Sequence, residues 1–182
     1  MPRWLNLPNA LTLLRLALVP FVIHSILAGR QAIALGLFAA AGLTDILDGA
    51  AARRAGLVTA AGAYLDPIAD KCLLSGVYLA LAATGLAPWW FVLLIFGRDL
   101  YILLGVGAFM LFTSLREFPP SLWGKACTFV QIGTAVVCMC KNILKSPVLD
   151  TLTPAMLWLS AAFTIWSGAH YTWLALRPAR AH

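Results

Sequence analysis

Four aspartates set the chemistry open to this chain. Asp45, Asp48, Asp66 and Asp70 are four of only seven acidic residues in a sequence of 182. Asp45 and Asp48 are three apart, and Asp66 and Asp70 four apart, so on helices each pair shares one face. The surroundings are apolar, and a carboxylate at membrane depth needs a partner that offsets its desolvation. The nearby cations Arg53, Arg54 and Lys71 do not balance two like-charged pairs by simple pairing. A divalent cation does. Hard oxygen donors of this kind suit Mg²⁺, Mn²⁺ or Ca²⁺. Four carboxylates could hold two ions about 3.5–4 Å apart, an arrangement that stabilises the attacking and leaving oxygens of a phosphoryl displacement. Arg53 and Arg54 could neutralise phosphate oxygens beside them. Gly49 and Gly62 would let backbones or a ligand come close.

Two other readings use the same residues. The acids could pair with Arg53, Arg54, Lys71, Arg98 and Lys125 simply to hold helices together. They could also line an ion or proton pathway, making the protein an intramembrane cation transporter. Two face-matched acidic pairs argue against a purely structural role. Spacing alone leaves metal catalysis and transport equally open.

The elements that must position these residues are apolar spans. The sequence is 62% hydrophobic and 11% charged, against about 25% charged in a soluble domain. An all-α integral membrane protein with one domain over residues 1–182 is expected. Its net charge of +6 is scattered between apolar runs, which excludes a nucleic-acid footprint and suits anionic lipid head groups. A span needs about 20 apolar residues, and six transmembrane helices are predicted, over 10–28, 32–52, 58–84, 88–113, 121–143 and 154–176. The connection 141–154 is read as a loop. Arg15 and Pro20 interrupt the first apolar run, which is read as a full span and not as a cleavable leader. Cys72, Cys127, Cys138 and Cys140 lie in apolar runs and are expected to be buried free thiols. Basic residues weigh toward the side holding both termini, so the cytoplasmic side of the inner membrane is predicted for both ends and for the acidic cluster.

The stretch can be written Asp45-x2-Asp48-Gly49-x2-Ala52-Arg53-x8-Gly62-x3-Asp66-x3-Asp70. It resembles the signature of the CDP-alcohol phosphatidyltransferases at all eight defined positions. The opening Leu7-Pro8-Asn9-Ala10-Leu11-Thr12-Leu13-Leu14-Arg15 is similar to the start of bacterial phosphatidylglycerophosphate synthases and CMP-forming cardiolipin synthases. So are Leu65 to Lys71, Gly124-Lys125 with Thr128 and Gln131, and Trp166-Ser167 with Tyr171. The resemblance implies a six-helix bundle, a homodimer, and transfer of a phosphatidyl group from CDP-diacylglycerol to an alcohol with release of CMP. It implies Mg²⁺ or Mn²⁺, two ions, as cofactor. Asp45, Asp48 and Asp66 would be metal ligands, Asp70 a metal-site residue and general base, and Gly49, Ala52, Arg53 and Gly62 the positions lining the CDP moiety.

No Ser-His or Cys-His pair is evident, since His24 and His170 lie on distant spans and His182 is terminal. Direct transfer is therefore expected in place of a covalent enzyme intermediate. Arg98, Arg116 and Lys125 are the basic residues that could bind an anionic acceptor; Arg98 is equally open to a local role beside Asp99. Phosphatidylglycerophosphate synthases usually carry Arg-Glu where this chain has Arg98-Asp99, and Arg-Asp resembles the cardiolipin synthases. Glycerol 3-phosphate and phosphatidylglycerol both remain open as glycerol-type acceptors.

Overall fold

The computed structural model describes residues 7–55, 60–112 and 122–176, with side chains described outside 7–9, 46–55, 60–64, 106–112 and 174–176. Over these residues the regular structure is all helical: α1 (Leu7–Leu27), α2 (Gln31–Ala55), α3 (Ala60–Ala83), α4 (Trp89–Phe112), α5 (Leu122–Leu144) and α6 (Pro147–Leu176). Among the described residues three stretches are long and apolar enough to cross a membrane, Ala10–Leu27, Leu122–Leu144 and Pro147–Trp173. Many large apolar side chains face outward, among them Phe21, Leu93, Leu103 and Phe129. That is the pattern of a helical protein embedded in a membrane, where the solvent is itself apolar. The chain divides into two units, residues 1–87 with 138–145, and residues 88–137 with 146–182.

In the first unit α1 packs on both α2 and α3. The contact faces follow helical spacing: Thr12, Arg15, Val22 and Ile26 on α1, Ala34, Phe38 and Ala41 on α2, and Ala69, Leu73, Val77 and Leu81 on α3 are all buried. The acids extend these stripes. Asp45 lies one turn beyond Ala41, and Asp66 and Asp70 lie one turn or less before Ala69 and Leu73. The face that seals the helices against α1 thus carries the carboxylates towards it. Close approach is built in at Gly76, where a Cβ would stand 2.7 Å from Cδ1 of Ile23.

Two glycines stop helices here. Gly29 has φ +71° and Gly85 φ +74°, the left-handed conformation that favours glycine. Arg30 N donates to Ser25 O and Gly29 N to Ile26 O; Leu86 N donates to Leu81 O and Gly85 N to Ala82 O. Both ends are Schellman motifs, which satisfy carbonyls that the helix leaves unpaired.

In the second unit α4 packs on α6, and Trp90 lies 5.1 Å from Trp158, ring centre to ring centre. Its interior is unusually polar: Gln131 and Thr134 on α5 and Ser160, Thr164 and Ser167 on α6 are buried. Hydroxyls in this setting bond back to their own helix, as Thr134 does to Val130 O and Thr164 to Ser160 O.

Two expectations need correction. Residues 141–154 are not a loop. The helix α5 runs to Leu144, and α6 begins at Pro147, seven residues earlier than predicted. Proline at the first helical position loses no hydrogen bond, Leu149 N and Asp150 N turn back onto Ser146 O, and Asp150 complements the helix N-terminus. The four cysteines are free, but only Cys127 and Cys138 are buried; Cys72 is exposed.

Candidate metal and active site

The site is built from one face of α1. Thr12 and Arg15 are three residues apart and share that face. Thr12 is buried, and its Oγ1 donates to Asp66 Oδ1 at 2.5 Å. Arg15 has no solvent exposure. Its Nη2 lies 2.9 Å from Asp45 Oδ1 and its Nη1 2.6 Å from Asp70 Oδ1. A guanidinium is a rigid planar fork, so its two outer nitrogens can serve two carboxylates from different helices at once. Arg15 therefore ties α1 to α2 and α3 through charge, while Thr12 ties the third acid. Removing the carboxylates would leave the buried guanidinium without these partners, which is costly.

The two sides of the cluster differ. The side chains of Asp45 and Asp70 are 44% and 51% exposed, while that of Arg15 is 0%. The cation backs the carboxylates from the closed side, and the carboxylates open outward. Thr12 Oγ1 and the two outer nitrogens of Arg15 each meet one of the three acids. Among the described residues no three His, Cys, Asp or Glu side chains gather tightly enough to hold an ion by themselves. Asp48 sits one turn beyond Asp45 on α2, with its side chain outside the described set. The donor set is all carboxylate oxygen, converging from two helices and half open. Its chemistry fits a hard divalent cation.

Of the expected CDP-lining positions, Gly49, Ala52 and Arg53 lie on α2 and Gly62 on α3, in segments whose side chains are outside the described set. Arg116 lies outside the described residues. Lys125 is exposed on α5. Arg98 on α4 is held locally: its Nη1 lies 2.9 Å from Asp99 Oδ1, its Nη2 donates to Ser167 Oγ, and its guanidinium stands 5.8 Å from the ring centre of Tyr171. Gln131 is engaged within the second unit, donating to Thr164 Oγ1 at 3.3 Å. His170 lines a cavity of about 510 Å³ with Trp123, Trp166, Ala169 and Trp173.

Sequence reasoning missed Arg15 and Thr12 as site residues. It sought partners for the acids among Arg53, Arg54, Lys71, Arg98 and Lys125. The available signal was an arginine deep in the 18-residue apolar run Ala10–Leu27, where an unpaired charge is not tolerated.

Residues 5–166 match the family profile described as CDP-alcohol phosphatidyltransferase. A "Probable phosphatidylglycerophosphate synthase" of Mycobacterium tuberculosis (strain CDC 1551 / Oshkosh) is 41% identical over 133 residues, which cover 69% of this chain and 62% of that relative. The "CDP-diacylglycerol--glycerol-3-phosphate 3-phosphatidyltransferase" of Bacillus subtilis (strain 168) is 33% identical, with 94% and 97% of the two chains covered. The "Cardiolipin synthase (CMP-forming)" of Rattus norvegicus is 34% identical over 91% of this chain and 59% of its own. The chain thus spans about three fifths of two of these relatives and nearly all of the third.

Proposed function

The chain belongs to the CDP-alcohol phosphatidyltransferase family, and from that premise we propose that it transfers a phosphatidyl group from CDP-diacylglycerol to a glycerol-type alcohol, releasing CMP. The family is generally dependent on divalent metal ions. The observation that carries the reading is the convergence of Asp45, Asp66 and Asp70, three acids of the eight-residue signature, on one face of α1.

In this proposal Asp45, Asp48, Asp66 and Asp70 hold two ions, Mg²⁺ or Mn²⁺. Bound there, the ions supply charge neutralisation for a diphosphate. Gly49, Ala52 and Gly62 leave room for the CDP moiety, and Arg53 offsets negative charge on its phosphates. The acceptor oxygen forms a bond to the phosphorus that carries diacylglycerol. The bond from that phosphorus to the oxygen bridging the diphosphate breaks, and CMP departs with the electron pair. Asp70, whose side chain is half open, accepts the hydroxyl proton. Arg98, Arg116 and Lys125 bind the phosphate of the acceptor, either glycerol 3-phosphate or phosphatidylglycerol. The enzyme works as a homodimer of six-span subunits in the inner membrane, with its site and both termini on the cytoplasmic side.

The test is product analysis with purified protein, labelled CDP-diacylglycerol, and glycerol 3-phosphate or phosphatidylglycerol supplied separately. CMP should appear with one of the two and require Mg²⁺ or Mn²⁺. Full activity in excess EDTA overturns the metal-assisted mechanism. Metal flux into sealed vesicles without any nucleotide product returns the chain to the transporter reading.

A further inference from the structure

We infer that Thr12 and Arg15 are positioning residues that set the carboxylates of Asp66, Asp45 and Asp70 for metal binding, and that α1 is thereby the template of the metal site. The inference rests on the proposed metal-dependent transfer. It starts from an asymmetry. Two side chains one turn apart on a single helix engage three acids from two other helices. A carboxylate anchored in this way has its rotation restricted, while Asp45 and Asp70 stay half open to a second partner. Losing a group that holds a metal ligand in this way typically costs about 10- to 100-fold in metal affinity.

A different role for Arg15 is conceivable from charge alone: a resident cation that a metal displaces. Burial decides between the two. A displaceable cation would stand on the side from which ions arrive. Arg15 has no exposure, while Asp45 and Asp70 are 44% and 51% exposed. The guanidinium lies behind the acids, and an incoming ion meets carboxylate first. Thr12 supports the same division, because a hydroxyl carries no charge for an ion to replace, yet it occupies the equivalent position on Asp66. Simple helix packing does not require this chemistry either. Between α1 and α3 apolar contact is already made at Gly76 against Ile23 and Val19.

The experiment measures Mn²⁺ binding to purified, nucleotide-free protein by electron paramagnetic resonance of the unbound ion, alongside CMP release as a function of Mn²⁺ concentration. Thr12→Val keeps shape and removes the donor; Thr12→Ser restores it. Arg15→Lys keeps the charge and replaces the fork with a single nitrogen. Thr12→Val and Arg15→Lys should each weaken Mn²⁺ binding by about 10- to 100-fold, with the rate recovering as Mn²⁺ is raised, and Thr12→Ser should bind nearly as the native protein does. If Arg15→Lys fails to fold, Thr12→Val against Thr12→Ser carries the test alone. Folded variants that bind Mn²⁺ with the native constant overturn the inference and leave the transferase reading intact, provided the native protein releases CMP. Tighter binding in Arg15→Lys overturns it in favour of a displaceable cation. A native protein that neither binds Mn²⁺ nor releases CMP overturns the transferase reading itself, and this inference with it.

Discussion

Arg15 meets Asp70 at 2.6 Å with the guanidinium sealed from solvent and the carboxylate half open. The same cation also holds Asp45. One side chain therefore links α3 to α1 and anchors the carboxylate of the proposed general base. Stability and chemistry are joined at Asp70, and a variant can separate them. Asp70→Asn keeps an acceptor oxygen for Arg15 and removes the base. CMP release should fall by about 10²- to 10⁴-fold, the usual worth of general acid–base catalysis, while the protein still purifies as a folded species. The readouts are the initial rate of CMP release and the thermal unfolding midpoint in detergent. A folded variant with native activity would remove Asp70 from the mechanism.

Much of this arrangement could be read before any coordinates. Apolar runs broken by Gly29, Gly85 and Pro88 divide the chain correctly into its first helices, because glycine and proline act through local backbone rules. Spacing within one helix likewise places Asp66 with Asp70 on a common face. What escaped were relations between helices. Nothing in the spacing of residues 10–27 tells which azimuth of α1 meets α2, so Arg15 read as an interruption of a span and not as the partner of Asp45. The start of α6 was misplaced because Pro154 reads as a helix start. Pro147 already supplies one, and Pro154 sits inside the helix. Asp99 beside Arg98 in sequence hinted at their pairing. Ser167, 69 residues away, could be found only from the fold.

Arg98 offers a test of acceptor binding that differs from the test of catalysis. Its guanidinium is oriented by Asp99 and Ser167. If it binds the acceptor phosphate, Arg98→Gln should raise the acceptor KM roughly tenfold or more, since a hydrogen bond to a charged group is worth about 1.5–3 kcal/mol. The KM for CDP-diacylglycerol should stay unchanged. Ser167→Ala leaves the ion pair to Asp99 and should shift the acceptor KM in the same direction by less, about fivefold, for the loss of one bond worth about 1 kcal/mol. Steady-state kinetics with each substrate varied in turn decides the matter. Equal rises in both constants would assign Arg98 to general packing.

The approach of α3 to α1 predicts a compensating pair. A Cβ on residue 76 would stand 2.7 Å from Cδ1 and 3.2 Å from Cγ1 of Ile23. Gly76→Ala should therefore cost about 1–3 kcal/mol in overpacking, offset in part by the about 0.5–1 kcal/mol that favours alanine over glycine inside a helix. The nearest atom is the tip of a side chain and not backbone, so the clash is removable. Ile23→Val deletes Cδ1 alone. Gly76→Ala should cost markedly less in the Ile23→Val background, giving a favourable coupling in a double-mutant cycle of unfolding free energies. Strict additivity would show that α1 and α3 do not touch there.

Two glycines with opposite backbone settings give opposite signs for one substitution. Gly85 ends α3 with φ +74°, and Leu86 N and Gly85 N close the turn onto Leu81 O and Ala82 O. Alanine there finds open space around its Cβ but must adopt the left-handed conformation, at a cost of about 1–2 kcal/mol. Gly36 lies inside α2, also with nothing near its would-be Cβ. In a helix interior alanine is favoured over glycine by about 0.5–1 kcal/mol. Thermal unfolding should thus fall for Gly85→Ala and rise or hold for Gly36→Ala. Since neither site has a neighbour to clash with, the difference isolates backbone conformation from packing. A Gly85→Ala variant as stable as the native chain would mean that α3 does not end in the Schellman turn described here.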